Sequence, residues 1–304
     1  QFNRIRKMRQ AVVIIIGILV LSPSLLFAQN TNQENTTDPA TWSGHDLIYE
    51  KQHILDKKPV PYEKVREADI MWSKVVWRMI DFREKMNQPL YFPTIPIGNR
   101  MSLTTVLMNA LAANELTAYR AGTDNINEFK EVISYDLVLE EFEAQDQTIQ
   151  VTNPVTGQIT DSIVAGEIRT DEVLQLLVKE MWFFDKKRST MEVRIIGLCP
   201  VRLYYDVQDI NREQLRRKKL FWVKYPEARN VLSRNEVFNA YNDAERRSFD
   251  EIFYKRFFDG FIVQESNVYN NRMIQEYTLG METLLEAESI EDFIFRFEHD
   301  IWEF

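Results

Sequence analysis

Residues 64–93 read KVREADIMWSKVVWRMIDFREKMNQPLYFP, and their reading decides the fold around them. Val65, Ala68, Trp72, Val75, Met79, Phe82 and Met86 recur in steps of three and four. That period predicts an amphipathic helix of about 25 residues beginning near Tyr62, stopped by Pro89 and followed by LYFP as a short strand. Ile70, Trp77 and Ile80 lie off the stripe. Trp77 follows Trp72 by five residues and would point about 140° further round the helix axis. A helix with two apolar faces is either sandwiched within one domain or covered by another subunit. Both remain open at this point.

Working downstream, Ser102 caps a helix over LTTVLMNALAAN, and LTAYRA (116–121) reads as strand. Residues 129–143 (FKEVISYDLVLEEFE) fit either state. TIQVTNPVTGQITDSIV (148–164) alternates β-branched residues around Asn-Pro-Val-Thr-Gly and predicts a hairpin with its turn at 153–157. Thr170 followed by Asp171 and Glu172 predicts a helix start, continuing through DEVLQLLVKEMWFFDKK (171–187). MEVRIIGLCPVRLYYDV (191–207) is strand, broken at Cys199-Pro200, and LFWVKYPEARNVL (220–232) is strand with a turn at Pro226. From Ala244 the pattern turns helical, with one helix in RRSFDEIFYKRFF (246–258) and another in SIEDFIFRFEHDIWEF (289–304). In the last, Ile290, Phe293, Ile294, Phe297 and Ile301 form one face, and Phe295 and Trp302 a second. The fold class is α+β: helices on short mixed or antiparallel sheets and hairpins, with a helical C-terminal third. The domain spans 62–304, with a division into two lobes near 145–170 left open. KVVWRMIDFREK (74–85) and KEMWFFDKKR (179–188) share Lys-x-x-Trp, a following Asp and a basic run, a faint likeness that chance between apolar segments explains more readily than a duplication.

Upstream, Arg4, Arg6, Lys7 and Arg9 precede the apolar run AVVIIIGILVL (11–21), a Pro/Ser break and Ala28. This order predicts a secretory signal peptide over 1–28, with Met8 a candidate start and cleavage after Ala28. An 11-residue run is too short to span a bilayer. The residue directly after the cleavage point is Gln29 rather than cysteine, so the expectation is an exported, soluble chain without a lipid anchor. The next segment, QNTNQENTTDPAT (29–41), is a polar flexible leader. Residues 42–61 carry scattered apolar anchors, Trp42 among them, and predict an arm lying on its own surface or a neighbour's. Without residues 1–28 the chain holds 33 basic against 46 acidic residues, a net charge of about −13, which argues against nucleic acid as a partner. The lone Cys199 forms no internal disulfide, so stability must come from the core.

The sequence lacks the motifs of an enzyme. His45, His53 and His299 are scattered, and HExxH, CxxC, phosphate-loop and nucleophile-elbow patterns are absent from it. These absences imply no metal and no cofactor. Cys199, among IIGLCPV, reads as a buried thiol rather than a nucleophile. In FEHD (297–300) neighbouring residues would point about 100° apart on a helix, which gives no catalytic relay. EEFEAQD (140–146) lacks the alternation of a calcium loop and reads as a solvated acidic face. The basic run Arg216, Arg217, Lys218 and Lys219 is either a solvated helix end or a docking patch for an acidic surface.

PYEKVREADIMWSKVVWRMIDFREKMNQPLYFP, MEVRIIGLCPVR and the closing FEHDIWEF resemble the GldN/PorN family of gliding-motility and type IX secretion proteins, over about residues 42–304. The resemblance implies a non-catalytic periplasmic component that forms a large ring with an outer-membrane lipoprotein, GldK/PorK-like. It further implies a link to a GldM/PorM-like periplasmic motor component, with membrane association only through the lipoprotein. On this reading Trp42, Trp77, Trp182, Trp302 and the run 216–219 are candidate partner-interface residues, because ring subunits need unlike patches. A client-binding module or chaperone would instead show one apolar groove on a polar monomer. A carboxylate-dependent envelope hydrolase would show close carboxylates in a deep pocket.

Overall fold

In the computed structural model the deciding stretch is a strand. Residues Ile70–Asp81 form β1, entered through one 3-10 turn at Glu67–Asp69, where the spacing predicts a helix. The physical reason is burial on both faces. Residues Val76–Asp81 are continuously buried, so the in–out alternation that marks a half-exposed strand is lost. A buried run apolar except at Arg78 and Asp81 satisfies a helical period as readily as a strand. Ile, Val and Trp then favour the extended state.

The structure describes residues 57–302 except 99, 123–127, 145–146, 153–158, 165, 167, 206–213, 240–241 and 243–244, with backbone only for 147–152, 159–164 and 302. After β1 come helices α1 (Gln88–Tyr91) and α2 (Leu103–Ala112), strands β2 (Ala118–Arg120) and β3 (Val132–Ile133), and helix α3 (Tyr135–Glu141). The hairpin β4 (Gln147–Thr152) and β5 (Ile159–Val164) precedes the long strands β6 (Val173–Asp185) and β7 (Thr190–Tyr205). Then follow β8 (Leu215–Lys219), β9 (Phe221–Lys224), α4 (Tyr225–Arg234), β10 (Glu236–Val237), β11 (Arg247–Ser248), α5 (Phe249–Tyr254), β12 (Phe261–Glu265) and α6 (Met281–Trp302).

The α+β class holds, as do the hairpin and the cap on α2, where the Thr105 amide donates to Ser102 Oγ at 3.2 Å. Five further elements differ from expectation. LYFP supplies the end of α1, whose first turn holds Pro89 where no amide partner is needed. The 171–187 segment is β6: Thr170–Glu172 makes one 3-10 turn and the buried Leu/Val/Phe run extends from it. β7 runs unbroken through Cys199-Pro200. Pro200 sits where β7 changes partner from β9 to β8, and its carbonyl accepts from the Leu220 amide at 3.0 Å. The missing N–H thus faces a junction rather than a ladder. Pro226 opens α4 instead of making a turn, and β12 interrupts the region read as helical after Ala244. The ambiguous 129–143 divides into β3 and α3.

One eight-stranded sheet runs β12-β1-β6-β7-β9-β2-β3, with β8 also on β7, and its paired strands are antiparallel. The likeness of 74–85 to 179–188 belongs to two neighbouring strands, where Lys74 lies opposite Trp182 and Trp77 opposite Lys179. Ile80, Leu176, Val178 and Leu198 bury one face against α2, α4 and α5. Val76 and Ile262, on the same face, meet Ala287, Ile290 and Ile294 of α6. The opposite face gathers Trp77, Met79, Leu177, Cys199, Val201 and Trp222 under Phe129. A Cβ at Gly197 would collide with the Phe129 ring, so the absence of a side chain there lets that ring lie on the strand.

Residues 51–304 form one compact unit, and the end of the predicted arm lies on its own chain. Ser233 Oγ donates to the Lys57 carbonyl at 2.8 Å, Arg229 Nη2 to Val60 at 2.6 Å and Arg194 Nη2 to Glu63 at 2.7 Å. Lys57 also pairs with Glu251 at 2.8 Å. The rest of the arm and the leader fall outside the described residues.

Candidate functional site

Helix α6 has two apolar faces, and they meet different fates. Ala287, Ile290 and Ile294 pack on the sheet, with Phe297 against Trp72 at 4.6 Å between ring centroids. About 150° round the axis, Met281, Leu284, Leu285 and Phe295 form a second stripe interrupted by Glu288 and Asp292. All six are exposed, Phe295 at 65%. The helix is strongly acidic, with Glu282, Glu286, Glu288, Glu291, Asp292, Glu298 and Asp300 against Arg296.

A second exposed apolar surface lies around α1 and α5. Met86, Pro89, Phe92, Phe238 and Phe257 surround a groove of about 770 Å³, with Val237 and Ile252 in its lining. Val237 and Ile252 are buried, whereas Met86, Phe92, Phe238 and Phe257 remain half-exposed. Cations edge this groove. Lys85 and Arg247 line it, Arg247 lies 5.6 Å from the Phe257 ring, Lys255 lies 5.9 Å from that ring, and Arg100 is 5.3 Å from Phe238. The sequence pattern hides the groove because it places Met86 in the stripe of 65–86 and residues 246–258 in a helix, and assigns 236–243 to no element. The signal available was the density of Phe beside Arg and Lys in 247–258.

The candidate interface residues separate. Trp77 is 1% exposed: its Nε1 donates to Glu128 at 2.8 Å, and Lys179 Nζ stands 4.7 Å above its ring. It is a core residue, which corrects its place among the surface anchors; the strand carries it inward. Trp182 is half-buried beside α6, donating to Glu180 at 3.2 Å with Arg256 over its ring at 5.3 Å. Arg216, Arg217, Lys218 and Lys219 lie in β8, so the helix-end alternative is corrected to a strand. Lys218 is bound to α3 through the Glu141 carbonyl at 3.0 Å and carboxylate at 2.9 Å, while Arg217 is exposed. Trp302 ends α6, with its side chain outside the described residues, as is Trp42.

The buried charges serve the architecture. Glu180 is fully buried; its oxygens accept from Arg256 Nη1 at 3.0 Å and Nη2 at 3.2 Å, and Arg78 Nε lies 3.6 Å away. Arg78 reaches on to the Gly260 carbonyl at 2.6 Å and to Glu291 of α6 at 3.1 Å. The cluster therefore ties β1, β6, the α5–β12 loop and α6 together. Asp250 holds Arg229 at 2.8 and 3.1 Å and Tyr225 Oη at 2.8 Å. Burial, then the Asp250 charge, pushes the Tyr225 phenol above its ordinary range.

Asp81, Glu84 and Asp259 are the carboxylate grouping nearest to an acid–base pair. Burial alone would raise Asp81, but hydrogen bonds from Arg83 and Gln175 hold it at about 2. Burial, then Asp259 and Asp81, raises Glu84. Fully buried Asn87 binds this group from within, donating to the Asp81 and Asp259 carbonyls at 2.9 Å and to Glu84 at 3.0 Å. Every one of these bonds braces the turn from β1 into α1. Burial pushes the Cys199 thiol up to about 12, which leaves it protonated and unreactive at neutral pH. Among the described residues no group of three or more His, Cys, Asp or Glu is placed to hold a metal, and no helix is long and apolar enough to cross a membrane.

What the described surface offers is apolar area for contact, in two unlike patches on an antiparallel α+β scaffold. The comparison with family models is specific: residues 65–303 match the family described as gliding motility associated protein GldN, and the chain belongs to that family. The comparison with curated proteins gave no match.

Proposed function

We propose that this chain is a non-catalytic periplasmic scaffold of the type IX secretion and gliding machinery, assembling as a ring with a GldK/PorK-like outer-membrane lipoprotein. Membership of a gliding-motility family carries the reading. Its support in the molecule is the pairing of a rigid, charge-stapled core with exposed apolar stripes on α6 and around the groove, which suits a component held by several neighbours. The basic, signal-like N-terminal segment supports export. A GldM/PorM-like periplasmic motor component is the further partner that the family implies. The test is the mass of the processed chain by light scattering, alone and with its lipoprotein. A large discrete assembly on mixing is expected, and a monomer that ignores the lipoprotein overturns the reading. Capture of unfolded client peptides by a monomer, through the groove, would point to the chaperone alternative.

A further inference from the structure

The outer stripe of α6 and the groove beside α1 and α5 complement one another. The stripe presents Leu284, Leu285 and Phe295 interleaved with Glu288 and Asp292. The groove presents Met86, Phe92, Phe238 and Phe257 with Lys85 and Arg247 in its lining and Arg100 and Lys255 over its aromatic rings. The stripe is apolar and acidic; the groove is apolar with Lys85 and Arg247 in its lining, Arg247 being paired with Glu245 at 3.1 Å and Arg100 with Glu236 at 3.6 Å, and the two surfaces share no residue. We propose that the outer face of α6 of one copy docks in the groove of a second copy of this chain. The proposal rests on the scaffold reading for its setting, but its geometry stands on these two surfaces alone.

Three physical points favour this occupant. An amphipathic helix laid in a hydrophobic groove is a recurrent recognition mode, with anchors spaced by three, four and seven residues. Met281, Leu284 and Leu285 have that spacing, Glu288 and Asp292 continue the same line as charges and Phe295 ends it, and about 770 Å³ accommodates several large side chains. Symmetric pairing is disfavoured: α6 against α6 would oppose Glu288 and Asp292 to like charges, and groove against groove would oppose Lys85 and Arg247. A contact between unlike patches is therefore head-to-tail. It leaves a free stripe at one end of a growing assembly and a free groove at the other, as a ring or filament needs.

The test uses two variants of the full chain. Phe295→Asp spoils the stripe and keeps the groove; Phe238→Asp spoils the groove and keeps the stripe. Both side chains are substantially exposed, so circular dichroism and thermal unfolding should match the unsubstituted chain. In sedimentation velocity the unsubstituted chain should grow in mass with concentration, and each variant alone should stay monomeric. An equimolar mixture should give a dimer of one of each and nothing larger, because only one good stripe and one good groove can meet. If either variant misfolds, Asp292→Lys against Arg247→Glu replaces it: each alone should weaken assembly, and mixing them should restore growth in mass with the two variants alternating, because opposite charges again meet at every contact. Assembly of Phe295→Asp like the parent, or a mixture that fails to pair, overturns the proposal. An unsubstituted chain that is monomeric alone yet assembles with the lipoprotein also sinks the docking mode and leaves the scaffold reading standing. Self-assembly through these faces without lipoprotein binding would do the reverse.

Discussion

Strand β1 and helix α6 carry the same kind of sequence, apolar residues in two registers, and resolve it in opposite ways. In β1 both registers are buried: Val76 and Ile80 under helices, Trp77 and Met79 under Phe129. In α6 one register is buried on the sheet and the other lies open beside acidic residues. The difference follows from position. β1 has a paired strand on each edge and packing on each face, whereas α6 is an outer layer with one side against the protein. Two apolar registers thus signal either a fully enclosed strand or a helix with one open face. Charge tells them apart. Arg78, the charged residue in the buried half of β1 before Asp81, is consumed by Glu180, Gly260 and Glu291, while Glu288 and Asp292 punctuate the open stripe.

The strongest way to break this contrast is Trp77→Ala. Removing a fully enclosed indole should leave a cavity and cost about 3–5 kcal/mol, read as a lower urea midpoint with little change in slope. A surface anchor on an exposed helix face would cost less than about 0.5 kcal/mol, so a small loss would overturn the enclosed-strand account. Next in size is Glu180→Gln, which leaves Arg78 and Arg256 facing one another without their shared anion. A loss of about 3 kcal/mol is expected, at the low end for a broken buried pair because Arg256 is partly exposed. Release of α6 should accompany it, seen as faster amide exchange across 281–302.

The sequence made the α+β class legible, along with the 147–164 hairpin, the Ser102 cap and the terminal helix with its two faces. It misled at β1 and β6 for one reason: continuous burial removes the period-2 signal, and near-continuous apolar runs satisfy any template. Thr170-Asp171-Glu172 compounded this at β6, since a capping pattern can be satisfied by a single 3-10 turn. Phe295, outside the candidate interface residues but on the second face of the terminal helix, is readable because a helix spaces its residues predictably. The groove was not, because Met86, Phe92, Phe238 and Phe257 come from three separate segments that only the tertiary fold brings together.

A smaller effect tests the turn that ends β1. The Asp81 carboxyl lies below its ordinary value, held at about 2 by Arg83 and Gln175 after burial has worked against it. A carboxyl depressed on folding stabilises the native state above its unfolded pKa, about 3.9, and that contribution is lost as pH falls towards 2. With Arg83 largely exposed to solvent, the stabilisation is on the order of 1–2 kcal/mol. The stability gap between the parent and Asp81→Asn should therefore be constant above about pH 5 and close steadily below about pH 4. A gap that widens on acidification would mean that the carboxylate is strained rather than held.

The smallest expected change in stability is also the one that sharpens the comparison most. Leu284→Gln together with Leu285→Gln removes apolar surface from the open stripe of α6, where both side chains already meet solvent. Gln keeps the helix propensity of Leu nearly unchanged, and no buried contact is lost, so the unfolding free energy should move by less than about 0.5 kcal/mol. The same change made inward, Ile290→Gln, should cost several-fold more by burying an unpartnered amide against Val76 and Ile262. Equal losses on the two sides, read from paired urea curves, would mean that α6 is enclosed as completely as β1. A free outer face predicts the reverse: the double variant keeps its stability and loses only its ability to associate.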